Sequence, residues 1–358
     1  MENYCVFYGF ILLYRQPVIK QGYFGFLTNN LCAEAVVELV SLYYFTELAK
    51  DLHMTRTAER LYISQQTLSN HIARLESHYG TPLLYRKPSL SLTPAGEYVL
   101  SSAKAIVNEE ANLKAILADV EKEERGVLRF GASTLRMNTS LPHILPRFSE
   151  RFPKVEIRLT DTISSQLTEM VLDGELDLAL TVSRHTDPHL AEDHMMDDQV
   201  YLCVADSLLQ QYYGKDAASL KERSREGANL SNFSRLPFCL LENRIGEKIN
   251  ECFAEAQITP HAYITSTYTQ ISASICFERL AAAFIPHVCL AEQRGEIPED
   301  INIFPLFHNG HPLLQTVNLI RLRDRYMPRS SRYFQDLLSG YLRAVEQVHL
   351  ERVVTTHE

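Results

Sequence analysis

Residues 55–76 read TRTAERLYISQQTLSNHIARLE. The spacing predicts two short helices joined by a tight turn, the second opening at Ser64, whose hydroxyl can accept an amide proton from the first helical turn. Leu68, Ile72 and Leu75 recur at i, i+4 and i+7, a stripe that needs a core to face. Gln65, Gln66, Thr67, Ser69, Asn70 and Arg74 lie off that stripe, with Arg56 on the preceding helix. Their lengths and donor/acceptor character suit base edges and phosphates in a DNA major groove. Any amphipathic helix has a polar face, so the flanking sequence has to decide between recognition and plain solvation.

Upstream, Leu39, Leu42, Phe45, Ala49 and Leu52 predict a helix over 38–52 that packs across the pair. Downstream, Leu83 and Leu84 precede the basic Arg86 and Lys87, and LSLT (90–93) returns like a wing. With these neighbours the chain resembles the LysR-type transcriptional regulators. Residues 55–76 are similar to that family's AAERLxxSQxxLSxxIxxLE signature, GTPLLYR (80–86) to its GxxLFxR turn, and LTPAG (92–96) to its LTxAG junction. Gln66 stands where the family has Pro or Ser, and Asn70 with His71 replaces Arg-Gln. Base preference is therefore expected to depart from that of relatives at these positions.

The resemblance implies a multidomain fold. An all-α, winged helix-turn-helix N-terminal domain (37–93) is followed by a long linker helix that pairs with its twin (94–125). An α/β two-lobed C-terminal domain, built like a periplasmic binding protein, spans 126–348, with lobe I about 126–203 and 303–348, lobe II about 204–302, and a tail at 349–358. The implied partners are double-stranded DNA carrying an interrupted inverted repeat in promoters, a small organic effector, and further copies in a homodimer or homotetramer. RNA polymerase is a further candidate partner, a cytoplasmic location is expected, and no membrane partner is.

A formal net charge of −9 excludes a globally basic nucleic-acid binder. Within 38–95, six basic side chains stand against five acidic ones. Phosphate contacts set affinity, so one copy with so few cations should bind weakly and need a second. The linker offers the means. Thr93 followed by Pro94 is a good helix start, and Val99, Ala103, Ile106, Glu110, Leu113, Leu117 and Val120 then alternate spacings of four and three. That is the rhythm of a coiled-coil seam, broken only at Glu110. A helix from Pro94 to Lys122 runs about 40 Å, although the same period also serves a helix lying on its own domain's core. The EKEER run (121–125) and Gly126 close it.

Beyond Gly126, short apolar strands alternate with helical stretches, an α/β pattern. Strands are expected at 127–132, 155–159, 176–182, 200–205, 238–241, 262–264, 281–285 and 313–322, and helices at 141–152, 165–172, 245–256, 269–278 and 331–347. Two such halves linked by crossing strands enclose a cleft, the usual place for a small ligand. VLRFGAS (127–133), DGELDLAL (173–180) and AAAFIP (281–286) resemble the family's first strand and ligand loop, its EGxxDxAI element and its GIALLP strand. Arg279 and Ala281 occupy positions where the family has glycines, so the turn into the last of these is expected to differ.

Ser133 and Thr134 follow the first strand, and Ser164 and Ser165 precede the next helix. Each pair offers hydroxyls and helix-start amides that suit a carboxylate or other anion, although hydroxyls at such places also serve as plain N-caps. An anionic effector is therefore favoured. Arg136 is a candidate counter-charge, though an arginine here is more often solvated at the surface. Asn243 and Thr267, in loops of the second half, complete the candidate effector set.

No GxSxG, HExxH, GxGxxG or P-loop pattern is present, so the chain is read as a non-enzyme without a cofactor. His185, His189 and His194 lie near Asp187, Glu192, Asp193, Asp197 and Asp198 without metal-site spacing. A solvated acidic loop, with no metal, is expected there. The seven cysteines include no CxxC pair and most sit among apolar residues, as buried reduced thiols do. Two other readings stay open: a thiol-based redox-sensing regulator, and a ligand sensor whose helix-turn-helix serves mainly in assembly. Residues 1–36 carry an apolar run from Cys5 to Tyr14 that is too short to span a bilayer and has no basic segment before it. They are expected to be a leader or a disordered tail ahead of a true start near Val36 or Val37.

Overall fold

The computed structural model of the protein describes residues 37–120, 125–182 and 185–350; the expectations for residues 1–36, for the acidic run before Arg125 and for the end of the tail lie outside them. The chain divides into two units that part between Val107 and Asn108.

In the first unit, α1 (Leu39–Asp51), α2 (Met54–Arg60) and α3 (Gln65–Tyr79) enclose Phe45, Leu48, Leu68, Ile72 and Leu75. The α3 stripe is buried as its spacing demands. On α1 the inward face is Leu42, Phe45 and Leu48, whereas Leu39 is exposed and Ala49 and Leu52 are half-buried. The expected stripe was turned partly off axis, because Leu48 carries more apolar surface than Ala49 and burial favours the larger side chain. β1 (Leu84–Tyr85) pairs antiparallel with β2 (Ser91–Leu92) to form the wing. Glu76 at the end of α3 holds this hairpin. Its Oε1 accepts from the Leu83 and Leu84 amides at 3.0 and 3.4 Å, and its Oε2 pairs with Arg86 at 2.8 Å. α4 (Pro94–Val120) opens with Thr93 Oγ1 accepting from the Gly96 amide at 2.9 Å. A Cβ on Gly96 would stand 2.1 Å from the Leu83 carbonyl oxygen, so only glycine lets α4 start this close to the wing.

The second unit alternates strand and helix through β3 (Arg125–Ala132), α5 (Thr134–Arg151), β4 (Lys154–Asp161), α6 (Ser164–Leu172) and β5 (Leu178–Thr181). A 16-residue strand, β6 (Leu190–Ala205), follows. Next come α7 (Asp206–Tyr213), α8 (Ala217–Ser224), β7 (Pro237–Leu241), α9 (Arg244–Glu255), β8 (His261–Ser266), α10 (Ile271–Phe277), β9 (Ala282–Pro286) and α11 (His287–Glu292). The chain returns through β10 (Ile301–Pro305), a hairpin of β11 (Phe307–His308) and β12 (His311–Pro312), β13 (Leu314–Leu322) and α12 (Arg329–Glu346).

Nine of these strands form one sheet in the order β4-β3-β5-β13-β6-β9-β7-β8, with β10 also on β6. β3 runs parallel to β4 and β5, and β7 parallel to β8 and β9, so each half has its own parallel core. β6 belongs to both halves. Its residues 190–199 pair with β13, and residues 200–205 pair with β9 and β10. Each half closes on its own aromatic cluster, Phe130, Phe148 and Phe334 in one and Phe238, Phe253 and Phe284 in the other. This is a two-lobed α/β domain.

Several expectations change. α5 starts at Thr134 rather than Leu141 and carries Pro142 and Pro146 inside it; burying Leu135, Leu141, Ile144 and Phe148 on one face outweighs the two lost backbone donors. The acidic segment around His194 is not a loop but part of β6. A bulge opposite Val317 and Asn318 buries both Met195 and Met196, which breaks the period-two pattern by which a strand is recognised. The helices α7, α8 and α11 and the strand β10 had not been expected at all. Arg279 takes φ +62°, so the turn before β9 keeps a left-handed residue without a glycine. Its guanidinium binds Asp300 at 2.6 and 2.7 Å, which offsets that strain.

Gly246, in the first turn of α9, has no room for a side chain, since a Cβ would lie 1.7 Å from the Leu241 carbonyl oxygen. Gly246→Ala is expected to lower stability by about 1–3 kcal/mol in urea unfolding, the usual cost of overpacking. Gly295→Ala, with open space around its Cβ, should change it by no more than about 0.5 kcal/mol.

Candidate functional site

The candidate reading face stands on α3. Ser64 caps the helix by accepting from the Thr67 amide at 3.0 Å, and the Ser64 and Thr67 hydroxyls lie 2.8 Å apart. Gln65 accepts from Thr55 at 3.2 Å, and Gln66 donates to Asn70 at 3.0 Å, which sets the two amides side by side one turn apart. Arg56, Ser64, Gln65, Gln66, Thr67, Asn70 and Arg74 are exposed, and Ser69 is half-buried. His71 is not on this face. It turns inward, 2.8 Å from Ser41 and edge-on to Tyr44, so α1 and not DNA holds it.

The cations are more committed than their residue types suggest. Arg74 pairs with Glu38 at 3.4 Å, Arg86 with Glu76 at 2.8 Å, and Arg60 with Glu47 and Asp51. Among the described residues, Arg56 and Lys87 have no acidic partner. Exposed aromatic rings at Tyr62, which is 96% exposed in the turn before α3, and at Tyr85 on the wing had not been anticipated, because a lone tyrosine carries no spacing signal.

The linker pattern divides. Ala103 is 0% exposed and Val99 packs against the core of the first unit, so those two positions serve the head's own interior. Ile106, Leu113, Leu117 and Val120 are exposed on α4, as is Tyr98.

In the second unit Ser133, Thr134, Arg136, Ser164, Asn243 and Thr267, far apart in sequence, line one cleft of about 400 Å³. Ser165 does not reach it: α6 begins at Ser164, and the next residue turns away to solvent. Thr134 donates both its amide, at 2.8 Å, and its hydroxyl to the Asp161 carboxylate. The anion expected at this helix start is thus supplied by the protein. Ser164 Oγ accepts from the Val182 amide at 3.2 Å. Asn243 caps α9 by accepting from the Ile245 and Gly246 amides, and donates to Thr267 and Thr269, so it shapes the cleft with all its polar atoms engaged.

Arg136 is not solvated. It is 2% exposed, its Nη1 lies 2.7 Å from Oδ2 of the fully buried Asp198, and its Nη2 donates to Gln315 at 3.2 Å. Asp198 Oδ1 in turn accepts from the Val288 amide at 3.0 Å. With both expected anion holders engaged internally, the cleft offers the hydroxyls of Ser133, Ser164 and Thr267 and the exposed guanidinium of Arg244, beside apolar Leu135, Leu180 and Ile245. Ile163 and Tyr268 stand exposed along it. Sequence spacing does not point to Asp161, Arg244, Tyr268, Gln270 or Gln315, because each joins the cleft through tertiary placement alone.

Among the described residues, no group of three or more His, Cys, Asp or Glu is placed to hold a metal ion, and no helix is long and apolar enough to cross a membrane. The described cysteines are buried. Burial pushes Cys203 well above the ordinary thiol range, Cys276 and Cys289 up to about 12, and Cys252 up to about 11. Such thiols stay protonated and are poor nucleophiles.

Two predictions follow from this geometry. Arg136→Ala strands the Asp198 carboxylate in the interior and should lower stability by about 3–5 kcal/mol. The chain has no Trp, so unfolding is followed by far-UV circular dichroism. Iodoacetamide at mildly alkaline pH should leave Cys203, Cys276 and Cys289 unmodified in the folded protein and label them in urea, read by peptide mass mapping.

Comparison with known proteins agrees with the fold. The sequence model described as bacterial regulatory helix-turn-helix protein, lysR family, matches residues 39–97, and that of the LysR substrate binding domain matches residues 121–343. The Hca operon transcriptional activator HcaR of Escherichia coli is 39% identical over 145 residues, which span 40% of this chain and 49% of HcaR. YcgK of Bacillus subtilis, an uncharacterized HTH-type transcriptional regulator, is 24% identical over 307 residues, 82% of this chain and 91% of YcgK. A full-length OxyR variant from Pseudomonas aeruginosa shares the fold, with a TM-score of 0.61 at 20% identity, covering 88% of this chain and 100% of that one.

Proposed function

Because the chain belongs to the LysR family of DNA-binding transcriptional regulators, we propose that it reads a specific promoter sequence with α3 and changes its grip when a small organic effector enters the cleft. The observation that carries this reading is the convergence of Ser133, Ser164 and Thr267, from both halves of the sheet, on one cleft. A ligand that touches both halves biases their closure, and does so only through different affinities for the two arrangements. The lining combines hydroxyls, an apolar wall and the exposed Arg244, which suits a small organic body bearing an anionic group.

The protein acts in the cytoplasm as a homodimer or homotetramer on an interrupted inverted repeat. Exposed Ile106, Leu113, Leu117 and Val120 support pairing of α4 with its twin. The redox reading draws no support from the described thiols, which burial keeps protonated. A role of the helix-turn-helix in assembly alone is separated by experiment.

In a salt-controlled titration against operator DNA, Gln65→Ala should relax base preference. Arg56→Ala and Lys87→Ala should weaken binding to every sequence and reduce the salt dependence by about one phosphate contact each. Absence of sequence-specific retention at moderate salt, with all three variants behaving as wild type, would refute the reading. Leu113→Glu with Leu117→Glu should lower the oligomer mass in light scattering and weaken operator binding together. Metabolites that bind the cleft should raise the melting temperature of the full chain, and Ser164→Ala with Thr267→Ala should reduce that rise.

A further inference from the structure

A second cavity, of about 350 Å³, lies in the second unit between the C-terminal part of α4, the start of β3 and the end of β13, and shares no residue with the cleft. Its electrostatics are one-sided. Arg129 and Arg325 both draw on a single carboxylate, Asp177, at 3.8 and 3.0 Å. Arg321 draws on none among the described residues. Its Nε is buried without a hydrogen-bond partner, and its Nη1 only approaches the Leu322 carbonyl at 3.4 Å. On the α4 wall, Asn112 Oδ1 is likewise buried with no donor. Ala115 and Met327 add an apolar surface.

A guanidinium held half out of water without an anion is costly, as is a buried acceptor without a donor. One ligand satisfies both when it carries an anionic oxygen for the first and an O–H for the second. We propose that this cavity is a second effector site, taking a small organic carboxylate that also bears a hydroxyl. The carboxylate meets Arg321, with Arg325 beside it, and the hydroxyl donates to Asn112. The volume is in the range of small-molecule sites.

The site's position gives it consequence. Asp119 of α4 accepts from the Tyr326 hydroxyl at 2.8 Å and the Arg329 amide at 2.9 Å, and Asn108 donates to the Asp173 carbonyl at 2.6 Å. A ligand between Asn112 and Arg321 adds a further bridge between the linker helix and the sheet. It would strengthen the seating of α4 independently of the cleft.

The test titrates the full chain with 4-hydroxybenzoate, mandelate, lactate and malate, and with their methyl esters, by thermal shift and isothermal calorimetry at fixed ionic strength. At least one acid should bind saturably where its ester does not. Arg321→Gln should weaken that binding about tenfold or more, the loss expected for one charged contact. Asn112→Leu should also weaken it, and serves as the deciding variant if Arg321→Gln loses its native circular dichroism. The cleft double variant Ser164→Ala with Thr267→Ala should leave it unchanged. Failure of all these acids to bind, or binding lost in the cleft variant but kept in Arg321→Gln and Asn112→Leu, overturns the proposal. The second of those results would leave the cleft reading standing, so the two fail separately.

Discussion

Asp198 sits fully buried on β6 at the point where that strand changes partners, from β13 in one half of the sheet to β9 and β10 in the other. Two elements meet its carboxylate and a third meets its partner. Arg136 reaches it from α5, the Val288 amide from the first turn of α11, and Gln315 faces it across the ladder while binding the same guanidinium. Taking two charges out of water costs several kcal/mol per ion, and only close pairing with further hydrogen bonds offsets it. The pair therefore adds little net stability but penalises any arrangement in which α5, β13 and α11 part company. The geometry around the strand crossing is specified by what it would cost to leave either charge alone.

That constraint positions the cleft. α5 begins two residues before Arg136, so fixing Arg136 fixes Ser133 and Thr134, and the Asp161 carboxylate then locks the same helix start to the end of β4. Across the cleft, Asn243 and the glycine at 246 hold the start of α9 against β7 with no freedom to adjust. The rigid walls belong to different halves and the shared strand is the element between them. A ligand can therefore act on the relation of the two halves without deforming either.

The parts legible in sequence were those governed by local spacing. α3 showed through its i, i+4, i+7 leucines and isoleucine, and the start of α4 through Thr93 and Pro94, because both depend on neighbours a turn away. The first half of β6 did not show, since the bulge at Met195 spoils its alternation, although its end at 200–205 did; nor did the start of α5, since Pro142 imitates a helix opening. The cleft hydroxyls were recognised by their place after strands, yet the burial of Arg136 rests on Asp198, a partner no local pattern can supply. The linker combines both cases: one continuous apolar rhythm serves the head's interior at Val99 and Ala103 and faces solvent from Ile106 onward.

The charge balance of the head links this architecture to control. Exposed ion pairs such as Arg74 with Glu38 and Arg86 with Glu76 are worth about 0–1 kcal/mol, so either arginine can exchange its carboxylate for a phosphate at small cost. Such an exchange would release a glutamate that repels the phosphate backbone, and Glu76 also holds the wing amides, which keeps its charge beside the wing. The net gain per head is correspondingly small. On the proposed function, affinity then comes from joining heads, and the arrangement of the joined heads decides occupancy. Heads that bound tightly one by one would be insensitive to ligand state, so weak individual heads are what the proposed control by an effector requires.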